Sequence, residues 1–179
     1  MNPLNVYGET KMMGEEALRQ HFPWHVILRI SSVFGAFGKN LMTNMLASID
    51  TQDEIQAVED MTTCPTAAAE VAKALIVIAE AILQGKHDGF GTFHLCGTPA
   101  TTRYEFSQAI LDEYMPHTTR RPKLVAAHRS DFPGRAIRPP YSVLDCAKIR
   151  DIYGIEQQSW RDGLAQAMSR LMRDRKQVA

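Results

Sequence analysis

The sequence is short of the features that mark a specialised environment. Its three cysteines, Cys64, Cys96 and Cys146, are an odd number, scattered and without CxxC spacing. That excludes a disulfide framework and a structural zinc site, and a reducing, cytoplasmic setting is expected. Charge of one sign is also missing, because 20 Lys and Arg balance 20 Asp and Glu for a formal net charge of +0. Nothing therefore steers the chain toward nucleic acid or an anionic bilayer, and neither is expected as a partner. The longest apolar run, residues 71–83, is broken by Lys73 and Glu80, and residues 1–20 contain no signal-peptide core. Neither a membrane span nor a secretory signal is predicted. No internal repeat or low-complexity stretch is present.

The 179 residues are 45% hydrophobic and 22% charged, enough for one well-buried globular domain over residues 1–179. Residues 5–21 read as a helix stopped by Pro23, and Val26–Ile30 reads as a strand buried on both faces of a parallel sheet. A helix is predicted over 41–49, a short strand over Glu54–Val58, and the clearest helix over 67–84, closed by Gly85. A strand over 91–96 follows, then a helix capped by Thr101 or Thr102, with Glu105 in its first turn, running to about Tyr114. Lys123–Ala127 is extended, 129–141 is a loop with Pro133, Gly134, Pro139 and Pro140, and helices at 146–153 and 160–173 finish the series. Such alternation predicts an α/β protein with parallel strands. The series opens on a helix, and two apolar strands alone leave their edges open. Either a partner chain or an N-terminal half of the sheet is expected to cover them, and a homo-oligomer of the isolated chain is the expected outcome.

Tyr7 and Lys11 are four apart, so a helix puts both on one face. An ammonium beside a phenol stabilises the phenolate and lowers its pKa from about 10, which makes the tyrosine a usable proton donor to a carbonyl. Spacing by itself is equally compatible with a surface tyrosine and a solvated lysine. His25 and His94 have no second ligand at metal spacing, so no metal is expected; Cys64 reads as a small buried cysteine, and Met12, Met13, Met42 and Met45 read as packing residues.

The residues around Tyr7 sharpen this. Tyr7-Gly8-Glu9-Thr10-Lys11-Met12-Met13-Gly14-Glu15 closely resembles the active-site helix of extended short-chain dehydrogenase/reductases. Leu28-Arg29-Ile30-Ser31-Ser32-Val33-Phe34-Gly35 resembles the strand and loop that follow that helix. Cys64-Pro65-Thr66, Thr92-Phe93-His94-Leu95-Cys96-Gly97, Glu105-Phe106, and Arg138-Pro139 ahead of Ser142-Val143-Leu144-Asp145 continue the series. In this order the motifs resemble the C-terminal part of the dTDP-4-dehydrorhamnose reductase family, over essentially the whole chain.

That resemblance implies the later strands of a Rossmann-like parallel sheet plus a small substrate-binding lobe, with the cofactor-binding N-terminal half absent. It implies NAD(P)H-dependent reduction of a dTDP-4-keto-6-deoxy sugar, a step of polysaccharide precursor synthesis. Tyr7 would donate the proton, Lys11 would hold the nicotinamide ribose, and Ser31, Ser32 and Val33 would lie beside the nicotinamide. Asn40, Pro65, Thr66, Arg138 and Ser142 would line the nucleotide-sugar pocket, Arg138 facing the diphosphate. Two departures stand near that pocket: Ser32 where the family shows Trp, and Met61-Thr62-Thr63 where it shows Gln-x-Gly. They favour a rival expectation, a non-catalytic sugar-nucleotide-binding or regulatory protein of the same fold. The GxxGxxG turn that grips a dinucleotide pyrophosphate is not among these residues, so weak NADP or NAD binding is expected of this chain alone.

Overall fold

A computed structural model describes residues 2–133 and 136–178, leaving aside the side chains of His87 and of residues 176–178; Gly134 of the expected loop lies outside the described residues. Asn5 is extended, and its side chain accepts a hydrogen bond from the Gly8 N–H at 2.8 Å, so helix α1 (Val6–His21) starts at an ordinary N-cap. The chain reverses through residues 22–25 into β1 (Val26–Ile30), followed by β2 (Val33–Phe34), α2 (Leu41–Thr51) and β3 (Glu54–Val58). Two short strands, β4 (Thr62–Thr63) and β5 (Thr66–Ala67), lead into α3 (Ala68–Leu83) and β6 (Gly91–Leu95). Then come β7 (Thr101–Thr102), α4 (Arg103–Tyr114), β8 (Lys123–Ala127), α5 (Ala147–Tyr153) and α6 (Trp160–Val178).

The strands form four two-stranded ladders. Three are parallel: β1 with β6 (Val26 opposite Gly91), β2 with β5, and β3 with β8 (Glu54 opposite Lys123). The fourth, β4 with β7, is antiparallel. The α/β character and the parallel pairing agree with the sequence reading. No helix among the described residues is long and apolar enough to cross a membrane.

Two apolar clusters hold the elements. The larger gathers Phe34, Met42, Leu46 and Ile49 with Phe106, Ile110, Trp160 and Leu164, so α2, α4 and α6 close over β3. Phe106 sits at its centre, 5.0 Å from the Phe34 ring and 5.4 Å edge-on from Trp160. The smaller joins Ala74 and Ile78 of α3, Phe93 and Leu95 of β6 and Ile149 of α5 to all three cysteines. Between the clusters, Gly97 passes so close to the Pro65 carbonyl that no β-carbon fits there. Helix α4 is capped at Thr102, with Glu105 completing a capping box.

One expectation is corrected. Strand β1 is not buried on both faces: none of its residues is fully buried, and Ile30 is 41% exposed. The reason is cover: β6 has the same single strand neighbour and still buries Phe93 and Leu95, whereas β1 is joined through Arg29 to α1, a helix that buries no residue. Helix α1 buries no residue at all, and α3 buries Ala74 and Ile78 while Leu75, Ile76 and Leu83 face outward.

With little apolar burial available, α1 is fixed by charge. Glu15 accepts from Arg29 of β1 through both carboxylate oxygens, Nε to Oε1 at 2.7 Å and Nη2 to Oε2 at 2.5 Å. Arg19, one turn along α1, donates to the same Oε2 at 2.6 Å and to Thr92 Oγ1 of β6 at 3.1 Å. The Glu15 side chain is 16% exposed. Hydrogen bonding from Arg29 holds its carboxyl below the ordinary value of 4.5, against the opposing pull of burial, and Arg19 adds to the effect.

A carboxyl with a depressed folded-state pKa stabilises fully above its ordinary value and loses that contribution as pH falls through the folded-state value. Glu15→Gln is therefore expected to lower the unfolding free energy by about 1–3 kcal/mol at neutral pH. The gap should close as the pH falls below 4.5, the ordinary carboxyl value. Urea midpoints of the two proteins that coincide at neutral pH would contradict this.

Candidate active site

Tyr7 and Lys11 stand one turn apart on α1, with Lys11 Nζ 5.4 Å from the centroid of the Tyr7 ring. Tyr7 is 71% exposed, and among the described residues its hydroxyl has no protein partner. An exposed phenol beside an ammonium can hand a proton to a bound carbonyl.

The loop after β1 carries Ser31, Ser32 and Val33. Ser31 is buried; its hydroxyl donates to the Ser142 carbonyl at 2.8 Å and lies 3.3 Å from Thr63 Oγ1. Thr66 Oγ1 donates to the Ser31 carbonyl at 2.5 Å, and Ser32 Oγ bonds Thr63 Oγ1. Ser32 has a φ of 44°, the left-handed region a non-glycine residue avoids unless its surroundings hold it there. Ser32, Thr66 and Ser142 are thus gathered around Ser31, with Thr63 Oγ1 between the hydroxyls of Ser31 and Ser32; Thr63 belongs to the Met61-Thr62-Thr63 departure noted in the sequence. Val33 is exposed beside it.

The other expected residues lie apart. Asn40 caps α2, accepting from the Thr43 N–H at 3.3 Å and donating to the Gly35 carbonyl at 2.9 Å. Pro65 is buried with its carbonyl against Gly97. Arg138 lines a cavity of about 800 Å³ between α2, β3, α4 and residues 129–133 and 136–138.

That cavity has an apolar side, with Met45, Ile55, Val58 and Phe132, and a charged side, with Arg103, Arg129 and Arg138 near Asp60. Arg129 Nη1 donates to the Arg138 carbonyl at 2.9 Å, and the Arg129 N–H donates to Asp60 Oδ1 at 2.9 Å. The Arg138 guanidinium has no partner among the described residues and is open to a ligand. Arg103 and Arg129 were not expected. Their signal was faint, an arginine opening α4 and another in a proline-bearing loop. The cavity and α1 are joined: Asn5 Nδ2 donates to the Ile137 carbonyl at 2.6 Å, so the cap of the Tyr7 helix holds the loop that presents Arg138.

Parallel strands alternating with helices are the architecture of Rossmann-like reductases and epimerases. The model of one family, the RmlD substrate binding domain, matches residues 1–173, and the chain belongs to that family. It is 36% identical over 166 residues to the dTDP-4-dehydrorhamnose reductase of Aggregatibacter actinomycetemcomitans, covering 92% of this chain and 56% of that protein. It is 34% identical over 161 residues to that of Sinorhizobium fredii, covering 89% and 54%. A crystal structure of a Clostridium acetobutylicum dTDP-4-dehydrorhamnose reductase superposes with a TM-score of 0.85 at 26% identity, covering 96% of this chain and 57% of that one. A Bacillus anthracis reductase in complex with NADP gives 0.80 at 25%, covering 94% and 57%. The chain spans a little over half the length of these relatives, corresponding to their C-terminal part.

The Asn5 side chain serves two purposes that one substitution separates. Asn5→Asp keeps the acceptor for the Gly8 N–H and loses the donor to Ile137. α1 should persist by circular dichroism, while backbone amides in residues 136–141 exchange with solvent roughly fivefold faster, as loss of about 1 kcal/mol of tethering implies. Unchanged exchange in that loop would contradict the tether.

Proposed function

We propose that this chain supplies the substrate-binding and proton-donating part of a reductase that converts the 4-keto group of a dTDP-linked 4-keto-6-deoxy sugar to an alcohol, using NADPH or NADH. The observation that carries this reading is the link between Tyr7 and the cavity, made by Asn5 and Ile137. The apolar wall of Met45, Ile55, Val58 and Phe132 suits a flat base, and the guanidiniums of Arg103, Arg129 and Arg138 suit a diphosphate. A sugar reaching from that diphosphate toward α1 meets the Tyr7 hydroxyl.

The cofactor supplies the hydride. Its nicotinamide ribose would lie against Tyr7 and Lys11, which are exposed one turn apart, with Ser32 and Val33, also exposed, beside the nicotinamide. Ser31 would act through the shape of its loop, since its hydroxyl is committed to Ser142. The Tyr7 Oη delivers a proton to the keto oxygen as negative charge develops on it, and the Lys11 ammonium steadies the phenolate left behind. No GxxGxxG turn occurs in these 179 residues, so contacts at the nicotinamide end alone would hold the dinucleotide weakly.

The test joins this chain to the preceding part of the Aggregatibacter reductase and follows NADPH oxidation with a dTDP-4-keto-6-deoxy sugar. Turnover is expected. Tyr7→Phe should lower kcat by about 10²–10⁴ without weakening dTDP binding. Arg138→Ala should raise KM roughly tenfold, the loss of about 1.4 kcal/mol, and spare kcat. A Tyr7→Phe protein within a few-fold of the parent would remove the assignment.

We further propose that the chain by itself associates. The free edge of β1 can pair with a second copy, and Val6 and Met13 of α1 with Leu75, Ile76 and Leu83 of α3 leave apolar surface uncovered. Light scattering on a size-exclusion column should show a dimer or larger at micromolar concentration. A single 20.1 kDa species would refute this.

A further inference from the structure

Three cysteines far apart in sequence meet in the smaller core. Cys64 lies between β4 and β5, Cys96 directly follows β6, and Cys146 precedes the first turn of α5; all three are free and buried. Cys96 Sγ and Cys146 Sγ are 3.8 Å apart, and both thiols point at the Leu144 carbonyl at 3.6 Å. A disulfide needs about 2.05 Å between sulfurs, so the two must close by under 2 Å, within reach of side-chain rotation and a small shift of the segment before α5. Among the described residues no group of three Cys, His, Asp or Glu has the geometry to hold a metal ion, which leaves thiol chemistry for the trio.

Access distinguishes the three. A cavity of about 220 Å³ opens between α3, α5 and α6, and Cys96 is the cysteine that lines it. A molecule the size of hydrogen peroxide, close to the roughly 30 Å³ share of a water molecule, fits easily. The Gln157 amide donates to Cys96 Sγ at 3.4 Å and to the Cys96 carbonyl at 3.2 Å, so a donor is in place for a sulfur-bound oxygen. Cys64 and Cys146 do not line it. Burial, with Cys96 adding to it, pushes each of their thiols up to about 12, which makes either a poor nucleophile toward a dissolved oxidant; Cys146 instead has the Cys96 sulfur held beside it, 3.8 Å away.

We propose that Cys96 and Cys146 are a modification site for a small hydroperoxide, Cys96 reacting first and Cys146 resolving it as a disulfide. Cys96 sulfur attacks one peroxide oxygen, the O–O bond breaks, and a sulfenic acid and water form. Cys146 sulfur then attacks the sulfenic sulfur, the S–O bond breaks, and a second water leaves with the thiol proton. Two thiols lose two electrons and two protons, and one peroxide becomes two waters. The bond staples the end of β6 to the start of α5, just beyond the segment whose Ser142 meets Ser31. It does not depend on the proposed reductase activity.

Peptide mapping of the whole chain after hydrogen peroxide and alkylation under denaturing conditions decides it. The expected product is a reducible cross-link between the Cys96 and Cys146 peptides, lighter by two hydrogens, with Cys64 still alkylated. Cys64→Ser should form the same cross-link, and Cys146→Ser should leave a Cys96 sulfenic acid that dimedone traps. A cross-link to Cys64, Cys96 oxidised to sulfonic acid beside an intact Cys146, or three unmodified thiols would each overturn the proposal. Should Cys146→Ser not fold, the map of the unmodified sequence still gives the answer.

Discussion

The clasp on Glu15 is the interaction on which the placement of the Tyr7 helix rests. A helix usually docks by burying an apolar stripe, and α1 buries nothing completely. What it has is one partly buried carboxylate gripped by the fork of Arg29 from the neighbouring strand and by Arg19 from its own next turn. A partly buried carboxylate is costly without partners and directional with them. The fork–fork geometry sets the rotation of α1 about its axis as well as its distance from β1. Because Tyr7 and Lys11 are two turns and one turn upstream of Glu15, that rotation decides which way the pair faces. Asn5 and Ile137 fix the far end, so the helix is pinned at two points by polar contacts.

The cavity depends on the opposite kind of force. Its walls, α2, β3 and α4, are held by the larger apolar cluster, where Phe106 stacks between Phe34 and Trp160 and where Leu46, Ile49 and Ile110 are fully buried. Dense packing makes that wall stiff. Arg129 and Arg138 come from the loop that also brings Phe132 and Ile137 to the lining, and its register comes from Arg129 binding the Arg138 carbonyl and the Asp60 carboxylate. A stiff, packed wall together with a hydrogen-bonded loop can bind a ligand with one flat and one ionic end.

Local patterns were legible in the sequence, and pairings were not. The helices of α1 to α4 and the strands Val26–Ile30, Glu54–Val58 and Lys123–Ala127 follow from period, caps and breakers; Thr102 and Glu105 announce the start of α4 directly. The two-residue strands β2, β4, β5 and β7 carry too few residues for any period and are defined by their partners. The burial of β1 escapes the sequence too: its composition is that of an interior strand, while its exposure depends on how little α1 covers it, which no local pattern reveals. Tyr7 and Lys11 were visible because one helix turn relates them. Arg103, Arg129 and the Glu15–Arg29 pair were not, since each acquires its role from an element distant in sequence. Cys64 is buried, as its sequence reading expects, yet that it meets Cys96 and Cys146 is a property of the fold.

Overall neutrality conceals how unevenly the charges are used. Glu15 bridges Arg29 and Arg19, while Glu70 takes Lys73, Asp53 takes Arg120 and Asp174 takes Arg170 in more exposed pairs, so several carboxylates are committed to cations away from the cavity. At the cavity the acid present is Asp60, and it binds the Arg129 backbone N–H, leaving the Arg138 guanidinium without a protein counter-ion among the described residues. A balanced chain thereby keeps a local cationic surface next to an apolar one. A guanidinium costs little where water reaches it, as it does Arg138, and gains most when a diphosphate replaces that water with paired, charged hydrogen bonds. Net charge thus bears on long-range attraction to polyanions, and it carries no information about a small anionic ligand, whose recognition depends on a few groups held at short range.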